Sequence, residues 1–187
     1  MEVLIIVGMP RSGSSTAAKV ARDLGIFTIS MDDIIREEIM RRALPNTERT
    51  YREMREWFHE YGRERELMRR IVDKIINAKN PERIVIEGFT TPEQINELKK
   101  RLWGERIYIL AIHSPPKIRW EREKTMVAEK PYRFVKMRDR LELSRGLGHL
   151  VAMADYIIVN DGSLEEFKER VKHKLIEILN ITKEVKP

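Results

Sequence analysis

A segment rich in glycine and serine, close to the N-terminus, has the residue types and the spacing of a phosphate-binding loop. Gly8 and Gly13 can adopt backbone conformations that turn a ring of N–H groups toward an anion, and the helix that begins near Gly13 adds the positive end of its dipole. Ser15 stands where a hydroxyl would reach Mg²⁺. The residues predicted to hold the phosphates of a nucleotide are Gly8, Pro10, Arg11, Ser12, Gly13, Ser14, Ser15 and Thr16.

The sequence on either side of the loop supports this interpretation. Residues 3–7 are a continuous apolar run, typical of a strand buried on both faces, and Ala17, Val20 and Ala21 recur at the spacing of an amphipathic helix. A strand, a glycine-rich loop and a helix in this order are the context in which phosphate loops occur. The less favoured alternative is a turn that only joins the strand to the helix.

The loop lacks the lysine of the usual pattern G-x-x-x-x-G-K-S/T, because Ser14 occupies that position. The lysine normally bridges the β- and γ-phosphates and neutralises charge that grows in the transition state. Arg11, inside the loop, and Lys19, one turn along the helix, are the cations that could replace it. We favour Arg11, because Lys19 is expected to face solvent. ATP with Mg²⁺ is the expected nucleotide.

Strands alternate with helices along the whole chain, which predicts an α/β fold with helices on both sides of the sheet. Apolar runs predict five strands, at residues 3–7, 26–30, 83–87, 107–112 and 156–159. We therefore expect a single three-layer P-loop domain over residues 1–187, with a five-stranded, mainly parallel sheet. Two charged helical excursions interrupt it, an insertion at about 32–78 and a candidate lid at about 121–145.

Two later helices carry clear start signals. Thr91 with Gln94, and Ser163 with Glu166, have the spacing of capping boxes, in which two side chains satisfy the first free N–H groups of a helix. Both helices follow predicted strands, as the alternating order requires.

The loop segment Pro10–Ser15 resembles the phosphosulfate-binding loop of sulfotransferases, with the pattern P-K/R-S-G-S/T-S/T. In those enzymes a basic residue at the position of Arg11 serves the nucleotide's phosphate and the transferring sulfuryl group. The match is chemically specific but covers only six residues.

A second resemblance covers nearly the whole chain. The sequence resembles an archaeal P-loop kinase-like family related to adenylate kinase and dephospho-CoA kinase. The matching segments are, in order, residues 7–10, 31–38, 112–116, 138–143 and 154–163. Five ordered matches outweigh one short match, so the expected fold is of the nucleoside-monophosphate-kinase type.

The kinase resemblance implies roles for residues after the second and third strands. Asp33 would orient Mg²⁺ or the acceptor, and Arg36 would grip the acceptor's phosphate. The alternative for Asp33 is a helix cap with a solvated ion pair. Glu87 stands where related kinases carry an aspartate that holds the water of the metal, and its alternative is a strand-end carboxylate paired with a base such as Arg11.

The resemblance also assigns residues of the lid and the last loop. Arg119, Arg122 and Arg138 match the pattern of lid arginines, which cover the transferring phosphoryl group. Asn160 and Gly162 would pass near the adenine, where backbone groups read the base. Residues 125–128, in contrast, are less basic than expected for a lid.

Three functions remain open at this point. The chain is predicted to be an ATP-dependent phosphotransferase acting on a small phosphorylated acceptor, a degenerate nucleotide sensor, or a sulfotransferase-like binder of adenosine phosphosulfate. Ser14, Glu87, the thinned lid and the absence of an arginine near Thr90 shift weight toward the sensor.

The amino-acid composition limits the classes of partner and the locations that can be expected for this protein. Charged residues make up 35% of the chain, against roughly 25% in ordinary proteins, and there is no cysteine, a combination that suggests a heat-adapted protein. The net charge of +6 favours anionic partners such as nucleotides, while nucleic acid is not expected. No apolar run approaches the about 20 residues of a membrane span, so a cytoplasmic location is expected. The oligomeric state is left open.

Overall fold

The fold is built on a parallel sheet whose centre is the strand before the phosphate loop. The structure, a computed structural model, describes residues 1–60, 63–126 and 132–180. Five strands pair in the order β2-β3-β1-β4-β5, and every pair is parallel. Their bounds are β1 Glu2–Val7, β2 Phe27–Ser30, β3 Arg83–Glu87, β4 Arg106–His113 and β5 Tyr156–Val159. Because all strands run the same way, their carboxyl ends meet at one edge.

Nine helices surround this sheet in the described part of the chain. They are α1 Ser14–Asp23, α2 Met31–Arg41, α3 Glu48–His59, α4 Glu64–Asn77, α5 Pro92–Arg101, α6 Pro116–Met126, α7 Tyr132–Ser144, α8 Leu147–Ala152 and α9 Leu164–Ile178. Helices α2 to α4 occupy the predicted insertion. Helix α7 lies within the candidate lid, whereas α6 begins before it, at Pro116, and only its second half overlaps it. Val127 and Ala128, which belong to the less basic part of the candidate lid, lie outside the described residues.

Side chains of β1 alternate between two apolar layers. Val3, Ile5 and Val7 join a core with α2, α4 and α5, whereas Leu4 and Ile6 join a core with α1 and α9. The whole strand is buried, as its continuous apolar run predicts. This arrangement confirms the predicted three-layer α/β fold.

Most predicted element boundaries agree with the structure to within one residue. The strands at 83–87 and 156–159 match, and both capping boxes are present. The second strand begins at Phe27 instead of Ile26, because the N–H of Ile26 donates to the carbonyl of Ala21 and closes the end of α1. Gly25, with φ of 76°, makes that left-handed turn possible.

No helix in the described ranges is both long and apolar enough to cross a membrane.

A buried carboxylate ties two helices of the insertion together. Glu38, on α2, is 0% exposed and accepts hydrogen bonds from Arg41 and Arg42, while Arg70 of α4 lies 2.7 Å away. The guanidinium of Arg41, together with those of Arg42 and Arg70, lowers the pKa of Glu38 to about 2, although burial acts in the opposite direction. The carboxylate therefore stays ionised between α2 and α4.

Replacing Glu38 tests how far the insertion depends on this cluster. Glu38→Ala leaves three arginines without their shared partner, and we expect a loss of about 2 to 3 kcal/mol in the free energy of unfolding. Glu37→Ala is the matched control, because Glu37 pairs with Lys74 at a half-exposed site and its loss is expected to be below about 1 kcal/mol. Urea unfolding at neutral pH measures both, and equal losses would contradict the role of Glu38.

Candidate active site

The phosphate loop lies at the carboxyl edge of the sheet and forms one wall of a cavity of about 1410 Å³. Residues 8–13 join the end of β1 to the start of α1. Arg11 and Gly13 have positive φ values of 66° and 110°, and the N–H of Ser12 donates to the carbonyl of Met9 at 2.9 Å. The loop thus has the curled backbone that an anion-binding turn requires.

Two glycines of this loop are required by close packing. A Cβ on Gly8 would lie 2.3 Å from Oγ of Ser12 and 2.7 Å from the carbonyl oxygen of Ile112. A Cβ on Gly13 would lie 2.5 Å from Nδ2 of Asn160. The loop is therefore packed against β4 and the segment after β5, and its shape is held by the protein itself.

Asn160 and Arg122 hold the loop from outside. The Asn160 amide donates to the carbonyl of Ser12 at 2.8 Å, and Arg122 donates to Oδ1 of Asn160 at 3.1 Å. Arg122 also donates to the carbonyl of Arg11 at 3.2 Å. The side chain of Asn160 thus helps to fix the shape of the loop. From the sequence, only its backbone was expected to act, by contacting the adenine.

A buried carboxylate lies beneath the start of α1. Glu87, at the end of β3 and 5% exposed, accepts hydrogen bonds from Ser15 at 2.8 Å and Ser30 at 3.0 Å, with Ser14 at 3.4 Å. Burial raises the pKa of Glu87, and the nearby charge of Asp32 acts in the same direction.

These side chains fit a magnesium ion held jointly with a nucleotide. Hydroxyl and carboxylate oxygens are the ligands that Mg²⁺ prefers, and the ion commonly takes one or two carboxylates together with substrate phosphates. Within the described ranges there is no cluster of three or more His, Cys, Asp or Glu side chains that could bind a metal without such phosphates. Ser15 and Glu87 are the residues that would hold it.

The lid helices contact the loop through two ion-pair clusters. Glu123 of α6 is 3% exposed and lies between Arg11, which donates to it through Nε, and Arg138 of α7, at 3.5 Å. Arg119 forms a buried two-bond pair with Asp139, at 2.9 Å for each bond, and donates to the carbonyl of Pro10 at 3.1 Å. The lid helices and the loop therefore form a single packed unit.

The insertion and the lid also meet across the cavity. Arg55 of α3 donates to Glu142 of α7 at 2.7 Å, and Arg145 pairs with Glu56. His59 lies beside these pairs, 3.4 Å from the hydroxyl of Thr90. Burial, followed by the charges of Arg145 and Arg55, lowers the pKa of His59 to about 4, against a smaller opposing effect of Glu56. His59 is therefore neutral at physiological pH.

The structure brings most of the predicted site residues to the cavity wall. Those that line it are Gly8, Pro10, Arg11, Gly13, Ser14, Ser15, Thr16, Glu87, Arg122, Arg138, Asn160 and Gly162. Ser12 is buried within the loop. Arg119 is buried beneath the loop, where it donates to the carbonyl of Pro10. Lys19, the other candidate for the missing cation, is exposed on α1, as expected.

Asp33 and Arg36 are not brought to the cavity. Asp33 is exposed and pairs with Arg22 at 3.0 Å, and Arg36 lies over the ring of Tyr51 at 5.3 Å. The neighbouring Asp32 lines the cavity instead and accepts a hydrogen bond from Tyr51. Sequence reasoning assigned the wall position to Asp33, and two consecutive aspartates carry no signal that separates them.

Glu123 and Glu142 are further site residues that the sequence analysis did not identify. Both lie in the charged stretch of the lid, where nothing in the spacing distinguishes a buried glutamate from a solvated one. Their arginine partners, Arg11 and Arg55, lie 112 and 87 residues away in the chain.

Comparisons with known proteins show which proteins this chain resembles. A family model described as an AAA domain matches residues 7–132. A UPF0200 protein of Pyrococcus abyssi (strain GE5) is 35% identical over 181 residues, covering 95% of this chain and 97% of that protein. A UPF0200 protein of Saccharolobus solfataricus (strain P2) is 36% identical over 173 residues, covering 91% of this chain and 90% of that protein.

Solved structures of kinases share the fold. Shikimate kinase from Bacteroides thetaiotaomicron superposes with a TM-score of 0.61 at 18% identity, covering 97% of this chain and 99% of that one. Dephospho-CoA kinase from Campylobacter jejuni has a TM-score of 0.58 at 17% identity, covering 96% of this chain and 98% of that one. At this identity the likeness concerns the fold, which is that of a P-loop kinase.

The neutral state of His59 predicts a pH dependence of stability. Between its ordinary pKa of 6.5 and its folded value of about 4, the unfolded chain binds a proton that the folded chain does not. Stability should therefore fall by about 1 to 2 kcal/mol from pH 7.5 to pH 5 through this residue.

Urea unfolding of His59→Gln over this pH range isolates the contribution. The pH slope should be smaller in His59→Gln than in the unaltered protein, whereas His173→Gln, which removes an exposed histidine from α9, should leave it unchanged. An unaltered slope in His59→Gln would show that the ring is not desolvated.

Proposed function

This chain belongs to the UPF0200 protein family, with a match to the model described as an AAA domain over residues 7–132, and we propose that it is a phosphotransferase. It binds ATP at the loop of residues 8–16 with Mg²⁺ at Ser15 and Glu87, and transfers the terminal phosphoryl group to a small phosphorylated acceptor in the same cavity. The observation that carries the proposal is the hydrogen bond of 2.8 Å between Ser15 and Glu87 beside a curled, glycine-dependent loop.

The loop supports nucleotide binding through its backbone. Gly13 directs the start of α1 toward the cavity, so the free N–H groups of the first turn point at the position of a phosphate. There is no acidic side chain in that first turn to compete with an anion. A magnesium ion would neutralise phosphate charge there, while Ser15 and Glu87 fix its position.

The cation that replaces the missing lysine is Arg11. Its backbone is part of the loop, and its guanidinium is held beside the lid helices by Glu123. A guanidinium presents five N–H donors, so Arg11 can bind a carboxylate and a phosphate together. Arg122 and Arg138 line the same cavity and would cover the transferring group.

The acceptor would lie between the insertion and the lid. Arg52 on α3 and Arg140 on α7 line the cavity, are exposed, and form no ion pair with another residue in the described ranges. Two uncommitted arginines at a cavity wall favour an acceptor that carries an anionic group such as a phosphate. Arg52 and Arg140 would therefore bind the acceptor's phosphate, the role that the sequence analysis gave to Arg36.

A second function, nucleotide sensing without efficient transfer, is favoured by one observation. Ser14 places a neutral hydroxyl where kinases have a lysine, and that hydroxyl faces Glu87 at 3.4 Å. A loop of this kind can bind a nucleotide through backbone N–H groups and still transfer phosphate slowly.

Calorimetric titration with Mg-ATP is the direct test of the proposed function. We expect Mg-ATP to bind, and 3′-phosphoadenosine phosphosulfate to compete no better than ADP. If no adenine nucleotide binds, the proposal fails. If the phosphosulfate nucleotide binds more tightly than ATP, the sulfotransferase-like alternative replaces it.

Two neighbouring serines of the loop, Ser14 and Ser15, provide a matched pair of variants. Ser15→Ala removes a proposed magnesium ligand, so we expect Mg-ATP affinity to fall about tenfold, a change of about 1.4 kcal/mol. Ser14→Ala keeps the backbone N–H and should change the affinity less than threefold. Binding of ATP in the presence of EDTA should be nearly the same in both variants. A similar loss in both would argue against a metal contact at Ser15.

Restoring the lysine separates transfer from sensing. If Arg11 already supplies the missing charge, Ser14→Lys should raise the rate of ATP turnover less than about threefold. An increase of several powers of ten would mean that the natural loop had lost catalysis and that the chain is a sensor. ATP hydrolysis measured by phosphate release is a suitable assay for Ser14→Lys and for the unaltered protein.

A further inference from the structure

Glu123 occupies an unusual position for an acidic residue. It projects from α6 to the edge of a loop that is expected to bind phosphate, and it is 3% exposed. One carboxylate oxygen accepts from Nε of Arg11, and the other lies 3.5 Å from Nη1 of Arg138. A buried carboxylate next to a phosphate site would repel the ligand unless its charge is balanced. The two guanidinium groups provide that balance.

The group formed by Glu123, Arg11 and Arg138 has the same formal charge as the lysine that the loop lacks. Two arginines and one glutamate carry a net charge of +1, which is also the charge of the lysine that Ser14 replaces. A flexible arginine would spend much of its time away from the phosphate, and its ordering would cost entropy on binding. An arginine already paired with a buried carboxylate has been ordered during folding.

The backbone of Arg11 is fixed together with its side chain. Arg11 has a left-handed φ of 66°, a strained conformation for a non-glycine residue that persists only where surrounding contacts enforce it. Its carbonyl accepts a hydrogen bond from Arg122, and its guanidinium is paired with Glu123. Both ends of the residue are therefore held by α6.

The guanidinium of Arg138 has one buried donor that a bound ligand could satisfy. Its Nε–H is buried and has no acceptor among the described residues. Arg138 also lines the cavity, so an oxygen of a phosphate bound there could accept from its guanidinium.

We propose that Glu123 is a positioning residue that holds Arg11 and Arg138 as one cationic unit, and that this unit performs the role of the missing lysine at the β- and γ-phosphates. The inference rests on the proposed nucleotide binding. Because Arg138 belongs to α7, the unit is complete only when α7 packs beside the loop. The lid helices thereby determine whether the loop can distinguish ATP from ADP.

Replacing Glu123 separates positioning from simple electrostatics. Glu123→Gln removes a negative charge near the phosphates, so electrostatics alone predicts tighter ATP binding. Positioning predicts the opposite, because Arg11 and Arg138 lose their shared partner. We expect the preference for ATP over ADP, measured by calorimetry with Mg²⁺, to fall by about tenfold, while ADP affinity changes less than threefold. A purely structural defect would weaken both nucleotides alike.

Three further variants complete the test. Glu121→Gln, which removes an exposed glutamate from the same helix, should leave the ATP preference unchanged. Glu123→Asp keeps the charge and should recover part of the preference. Ser14→Lys added to Glu123→Gln should restore it, because a lysine at position 14 does not need the unit; a folding defect would not be repaired in this way.

The outcomes separate the two proposals. If the unaltered protein binds neither nucleotide, the proposed function fails and Glu123 has no phosphate to serve. If it binds ATP and Glu123→Gln keeps or increases the preference for ATP, the positioning role is wrong, and an increase would mean that Glu123 obstructs the loop.

Discussion

The arrangement of the site depends on one constraint, that a carboxylate removed from water must be matched by donors or cations. Three carboxylates near the loop satisfy it in different ways. Glu87 is bound by serine hydroxyls, Glu123 by two arginines, and Asp139 by a two-bond pair with Arg119. Each match joins separate elements, so the loop, β2, β3 and both lid helices are fixed relative to one another. The shape of the loop is thus a consequence of charge pairing around it as much as of its glycines.

The hydroxyl-bound and arginine-bound carboxylates have different properties. Burial raises the pKa of Glu87, since hydroxyl donors compensate its charge only in part. Such a group has capacity left for a cation, which suits the side of the loop where a magnesium ion is proposed. Glu123 has two guanidinium partners, whose positive charge is larger than its own negative charge. The resulting positive charge suits the side of the loop where phosphate charge would develop. The loop is therefore electrically asymmetric across a few ångströms.

Local signals in the sequence were sufficient to predict the fold and the loop. The parallel strands, the glycines and the two capping boxes depend on residues within a few positions of one another, and the structure agrees with each. The same locality explains the error at α2. The helix begins at Met31, directly after β2, and Ser30 caps it through the N–H of Asp32. That start turns Asp32 toward the cavity and Asp33 toward Arg22, a choice of one residue that no pattern in the sequence determines.

Contacts between distant segments could not be predicted in this way. Glu123 and Glu142 were not identified as site residues, because one sequence does not reveal that an acid in the lid meets an arginine in the loop or in the insertion. Their burial follows from tertiary packing, in which α6 and α7 close over residues that are far away in the chain. The rule that buried acids need partners applies only once burial is known.

The two contacts between insertion and lid differ in strength, and the difference bears on how the cavity opens. Arg55 pairs with Glu142, which is 1% exposed, whereas Arg145 pairs with Glu56, which is more than half exposed. The more exposed pair contributes little because solvent screens it, while separation of the buried pair would leave Glu142 with only Arg145 of its own helix, whose Nη1 lies 4.0 Å away. Separation of α3 from α7 would therefore cost Glu142 its hydrogen-bonded partner. An anionic acceptor that approaches Arg55 would compete with Glu142 for the same guanidinium. The proposed acceptor, bound at Arg52 and Arg140, would lie in the cavity that Arg55 and Glu142 also line, so its negative charge would act on the pair that joins α3 to α7.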